Sequence, residues 1–121
     1  TVLVVDDERA ILDITSSVLE EFGYDVLTAE DGEKALEIVK GGQKHIDAAI
    51  VDMMMPVMNG TQVVKALKEK LPDLKIISVS GYQKEHELIS VEDNLIDAFL
   101  PKPFSADTLL KTLSGVIGRN V

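Results

Sequence analysis

Residues 2–8 read VLVVDDE: four apolar residues, Val2 to Val5, run without interruption into Asp6, Asp7 and Glu8. A continuous β-branched run fits a strand covered on both faces, as in a parallel sheet, rather than the alternation of a half-exposed strand. Two further stretches repeat the plan. AAIVDMMMP, from Ala48, sets Asp52 at the end of an apolar run, and AFLPKPF, from Ala98, does the same for Lys102. Strand ends along one edge of a parallel α/β sheet form its usual binding crevice. The three stretches therefore predict Asp6, Asp7, Asp52 and Lys102 in one place. Carboxylates so gathered repel: two unit charges ~4 Å apart cost roughly 4 kcal/mol at an effective dielectric of about 20. Such crowding is tolerable where a cation sits among the acids, which predicts a hard metal ion and an anionic substrate.

The rest of the chain alternates strands and helices. Thr1–Val5 reads as the first strand. Asp7 is placed to cap a helix whose stripe is Ile11, Ile14, Val18 and Phe22, stopped by Gly23. Tyr24–Thr28 is a second strand. Asp31 is placed to cap a helix carrying Ala35, Leu36, Ile38 and Val39, which Gly41-Gly42 ends. Ala48–Val51 is the third strand, closing on Asp52, and Pro56 with Asn59-Gly60 marks a turn. Val63, Val64, Leu67 and Leu71 form the next helical stripe, broken by Pro72-Asp73. Ile76–Val79 is the fourth strand, ending at Ser80-Gly81. Glu85–Asn94 is a less regular helix and Ala98–Leu100 a short fifth strand. Ser105 is placed to cap a last helix with Leu109, Leu110, Leu113, Val116 and Ile117. Five strands alternating with five helices predict a parallel sheet with helices on both faces. The expected fold is α/β, a flavodoxin-like (βα)5 three-layer sandwich in strand order 2-1-3-4-5, with the first and third strands side by side at the switch point. One domain over residues 1–121 accounts for the length.

Composition narrows the function. Twenty-one acidic residues against 12 basic give a formal charge of −9, which argues against direct nucleic-acid binding and against contact with an anionic membrane. Without cysteine, disulfides, thiolate catalysis and Cys-zinc sites are excluded. No apolar run approaches the ~20 residues that span a bilayer, and no signal peptide is visible, so a cytoplasmic location is expected. A chain that begins at Thr1 and runs straight into a strand fits a piece of a longer protein.

Each site residue has an ordinary reading beside its chemical one. One of Asp6 and Asp7 is explained as a helix cap, but two adjacent acids after a buried strand are not. Magnesium takes oxygen ligands in octahedral geometry and keeps several waters, and an acid pair supplies such ligands. Asp52 is an ordinary strand end or a nucleophilic carboxylate of the kind that forms aspartyl phosphates. Lys102 lies between Pro101 and Pro103, which fix the backbone around it; a cis bond before Pro103 would help aim an ammonium at phosphate oxygens. Ser80 is a turn residue or a hydroxyl donor to a phosphoryl oxygen. Phe99 reads most simply as a core aromatic. His45 and His86 read as solvated, and Met53, Met54, Met55 and Met58 as adaptable packing near Asp52.

Together, VLVVDDE, IVDMMMPVMNG, SVSGY and FLPKPF resemble a response-regulator receiver domain of two-component signalling across essentially the whole chain. The resemblance implies that Asp52 is the phosphoacceptor, in a Mg²⁺-dependent transfer from a phosphohistidine on a histidine kinase or histidine phosphotransfer domain, followed by slow hydrolysis. It implies Mg²⁺ on Asp6, Asp7, Asp52 and the backbone carbonyl of Met54, with Ser80 and Lys102 on the phosphoryl oxygens. It also implies a switch: Ser80 moves toward the phosphoryl group, Phe99 turns inward, and the face around the fourth and fifth predicted helices changes for partners. Phe99 lacks the hydroxyl of the tyrosine often found at that position. Met54 and Tyr82 occupy positions that tune access of water to the phosphoryl group. No conventional turnover is expected beyond self-phosphorylation and autodephosphorylation; the parent chain is open, with SVSGY and FLPKPF leaning toward a hybrid histidine kinase. An apolar patch on either of those two helices would favour a weak homodimer. Three other readings stand beside this one. An aspartyl-phosphate phosphohydrolase usually has a second acid two residues after the nucleophile, where this chain has Met54. A flavin-binding flavodoxin needs a phosphate loop without the charge of Asp6-Asp7. An inactive receiver-like interaction module would be expected to lack acceptor-site residues that are all present here.

Overall fold

The apolar runs become strands wherever they occur. In the computed structural model, which describes residues 1–42, 45–53, 60–80 and 95–118, the strands are β1 (Val2–Val5), β2 (Val26–Ala29), β3 (Ala48–Asp52), β4 (Lys75–Ser80) and β5 (Ala98–Pro101). They pair in parallel in the order β2-β1-β3-β4-β5, as the sequence predicts. The helices among the described residues are α1 (Arg9–Glu21), α2 (Gly32–Gly41), α3 (Gly60–Lys70) and α4 (Ala106–Ile117). The helix expected over Glu85–Asn94, together with Met54, Met55, Pro56, Met58, Asn59, Tyr82 and His86, lies outside the described residues.

Alternation along the strands divides the core between the two sheet faces. Leu3, Val5, Ala49, Val51 and Ile76 pack with Ala35 and Val39 of α2 and Val63, Val64 and Leu67 of α3. Val2, Val4, Ala48, Ile50, Ile77, Val79 and Leu100 pack with Leu12 and Leu19 of α1 and Leu109, Leu110 and Leu113 of α4. Each fully buried Leu or Ile contributes about 1.5–3 kcal/mol over its exposed state. A slip of one residue would exchange the two sets, so the register is firmly specified. That register brings Val5 opposite Val51, and it is what sets the next residues, Asp6 and Asp52, side by side.

Two of the expected caps form. Asp31 Oδ1 accepts from the Lys34 amide at 2.8 Å, and Ser105 Oγ from the Thr108 amide at 3.1 Å. Gly42 ends α2 at φ 61°, in the left-handed region that favours glycine.

Two expectations about α1 are corrected. Asp7 does not cap it: the N-cap position is Glu8, whose side chain makes no cap bond. Instead Asp6 Oδ1 accepts from the Glu8 amide at 2.9 Å, so the turn into the helix is held one residue earlier. The buried stripe is Leu12, Thr15 and Leu19, while Ile14 and Phe22 are exposed. Residues 11, 14, 18 and 22 and residues 12, 15 and 19 are both helical series, offset by one residue. The β-sheet picks the face, and Thr15 disguises it by placing a polar side chain in the buried stripe. Phe99 is corrected too: it is 55% exposed rather than a core aromatic, because β5 is an edge strand on which Leu100 takes the buried side.

Candidate functional site

The C-terminal ends of β1, β3 and β4 and the chain leaving β5 build one pocket of charge. Asp6 follows β1 and is fastened by its amide to the Ala29 carbonyl at 3.1 Å. Asp52 is the last residue of β3, and the next amide, of Met53, reaches the Val79 carbonyl at 2.9 Å. Ser80 ends β4, and its carbonyl accepts from the Lys102 amide at 2.7 Å. The Lys102-Pro103 bond is cis, as anticipated. Asp6, Asp52 and Ser80 are all buried, unusual for two carboxylates without matched partners.

The Lys102 ammonium is the partner they share. Its Nζ lies 3.1 Å from Asp6 Oδ2, 3.4 Å from Asp52 Oδ2 and 3.3 Å from Glu8 Oε1. Burial opposes the lysine charge, but the hydrogen bond to Asp6 and the charges of Asp52 and Asp6 outweigh it and hold its pKa well above the ordinary 10.5. Asp7 is exposed and faces Asp52. Burial pushes its carboxyl above the ordinary 3.8, and the hydrogen bond to Asp52 and the Asp52 charge push the same way. Asp7 thus lies beside Asp52.

Three carboxylates, Asp6, Glu8 and Asp52, each place one oxygen within 4.8 Å of the others. Hard oxygen donors at this spacing suit a hard divalent cation. Glu8 is the residue the sequence reading passed over. Its signal was present, as the third acid of VLVVDDE. Phe99 stands opposite Ser78 in the sheet with its ring largely in solvent. Met54, expected to lend a carbonyl to the ion, lies outside the described residues.

The comparisons with known proteins agree with this geometry. The model of the response regulator receiver domain matches residues 2–114. Over 120 residues, 99% of this chain, the sequence is 34% identical to the autoinducer 1 sensor kinase/phosphatase LuxN of Vibrio campbellii, of which it spans 14%. The chemotaxis protein CheY4 of Vibrio cholerae has 36% identity and a TM-score of 0.81, covering 95% of this chain and 96% of that one. Response regulator protein TrrA of Thermotoga maritima, solved in complex with Mg(2+)-BeF, has 33% identity and a TM-score of 0.81, with the same coverage of 95% and 96%. A buried acid pair across β1 and β3, a lysine delivered from the end of β5, and a family match over nearly every residue place this chain among the response regulator receiver domains of two-component signalling.

Proposed function

We propose that Asp52 is the phosphoacceptor of this domain and that Asp6, Asp7 and Lys102 make its phosphorylation feasible. The observation that carries the reading is the meeting of Asp52 with Asp6, a second carboxylate for a cation, and with Lys102, a cation for phosphoryl oxygens. The donor is a phosphohistidine on a histidine kinase or phosphotransfer domain, the partners with which receiver domains in general interact. An Asp52 carboxylate oxygen attacks phosphorus, the P–N bond breaks, and its electron pair returns to the imidazole. The product is an acyl phosphate, later cleaved by water.

Asp6, Asp7, Asp52 and the Met54 carbonyl would hold Mg²⁺. When bound, the ion supplies positive charge that offsets the phosphoryl oxygens and lets an anion approach an acidic site. Lys102 contributes a point charge to one phosphoryl oxygen. Ser80, at the end of the neighbouring strand, donates its hydroxyl to another. Phe99, outward in this structure, would turn inward as Ser80 moves, carrying the change to the β5 and α4 face.

A small phosphodonor with Mg²⁺ tests the reading. Intact-mass measurement should find one labile phosphoryl group on the wild type and none on Asp52→Asn. Uptake by the Asp52→Asn protein, or none by the wild type, would overturn it.

A further inference from the structure

We propose that Glu8 is a positioning residue for phosphoryl binding, a latch that holds the Lys102 ammonium in the resting protein and releases it when Asp52 takes up its phosphoryl group. The inference rests on Asp52 being the phosphoacceptor.

An ammonium has three N–H donors. In this structure Lys102 Nζ has three carboxylate partners, Asp6 at 3.1 Å, Glu8 at 3.3 Å and Asp52 at 3.4 Å. For Lys102 to donate to a phosphoryl oxygen, one of these contacts must give way. Asp52 bears the phosphoryl group and so keeps it beside Lys102, while Asp6, with a side chain only 4% exposed, would be left a carboxylate out of water if parted from the ammonium. Glu8 is different, with a side chain 61% exposed. Released from Lys102 it is hydrated at once, and the separation costs only what an exposed ion pair is worth. Glu8 is therefore the contact that yields.

The backbone keeps the latch in reach. The Glu8 amide donates to Asp6 Oδ1 at 2.9 Å, so the residue stays fixed at the mouth of the site whatever its side chain does. That bond is made by the main chain and survives substitution. Glu8→Gln therefore removes the charge while keeping the shape and the turn.

The test uses wild type, Glu8→Gln and, as a control for overall charge, Glu20→Gln on the exposed side of α1. Beryllofluoride, a phosphoryl mimic, is titrated at saturating Mg²⁺. The Lys102 side-chain ¹³Cε resonance is followed in metal-free protein. Glu8→Gln should bind beryllofluoride about two- to fivefold more tightly, the span an exposed ion pair allows, with the Lys102 resonance shifted before any ligand is added. Glu20→Gln should change neither. Equal affinities of wild type and Glu8→Gln would overturn the latch while leaving Asp52 as acceptor. A gain in affinity with an unmoved Lys102 resonance would also overturn it, since Glu8 would then only repel the anion. Failure of the wild type to bind beryllofluoride would remove both the latch and the reading beneath it.

Discussion

The two ends of the sheet treat charge in opposite ways. At the N-terminal end several charged groups have partners of their own. Asp47 pairs with the Thr1 amine at 2.7 Å and with His45 Nε2 at 3.2 Å. Asp97 Oδ2 accepts from the Ile76 amide at 2.8 Å. Lys68 Nζ donates to the carbonyls of Pro72 and Leu74 at 3.2 and 2.7 Å. At the C-terminal end three carboxylates, Asp6, Glu8 and Asp52, share the ammonium of Lys102, and Asp7 lies beside Asp52. The acidities follow. The hydrogen bond from the Thr1 amine, foremost, holds Asp47 below the ordinary 3.8. Burial, foremost, and then Asp52 push Asp7 above it. A charged group with partners of its own steadies the fold, whereas carboxylates in excess of their cation repel one another.

The largest effect expected is the complete loss of phosphoryl uptake in Asp52→Asn, since nothing at the matched end could substitute for it. Lys102→Ala comes next. It leaves two buried carboxylates without their shared cation and should lower stability by roughly 2–3 kcal/mol in metal-free protein, less than for a fully buried pair because the lysine is partly solvated. Chemical denaturation with and without Mg²⁺ would show it, with the ion restoring more stability to the variant than to the wild type. An unchanged midpoint would mean that the cluster is less crowded than its distances imply.

A smaller pair of effects should differ in sign between the two ends. Asp47→Asn should destabilise and Asp7→Asn should stabilise metal-free protein, each by only a few tenths of a kcal/mol after solvent screening. Equal signs would erase the contrast. The finest test is titration. Asp7 is raised, so its folded form holds a proton more tightly than the unfolded chain, and its contribution to stability is lost as pH rises from 3.8 through its folded value. Asp47 is lowered, so its contribution is present above 3.8 and lost as pH falls through its folded value. Lys102 is raised, so its share is fully present below 10.5 and lost only at higher pH. Carboxyl NMR should find Asp7 above and Asp47 below 3.8. Asp52→Asn should bring Asp7 part of the way down, with the portion due to burial remaining.

Much of this was legible in the chain. Unbroken apolar runs such as VLVV and AAIV announce strands buried on both faces, because only a parallel sheet under helices hides every side chain. Asp31 and Ser105 could be read as caps because their chemistry is local. Ile14, Phe22 and Phe99 misled because hydrophobicity says that a side chain favours burial, not whether a surface is there to bury it. Glu8 was missed for a related reason: its partner Lys102 is distant in sequence, and only the sheet register brings them together.

By itself the sequence settled the parallel order of the strands and the meeting of Asp6, Asp52 and Lys102, because strand ends in a parallel sheet share one edge. The tertiary structure alone decided which face of α1 is buried, that Phe99 points outward, and that Glu8 joins Asp6 and Asp52 around one ammonium. Those outcomes depend on distances across the fold, and a one-residue offset along a helix, about 100° of rotation, is enough to change them.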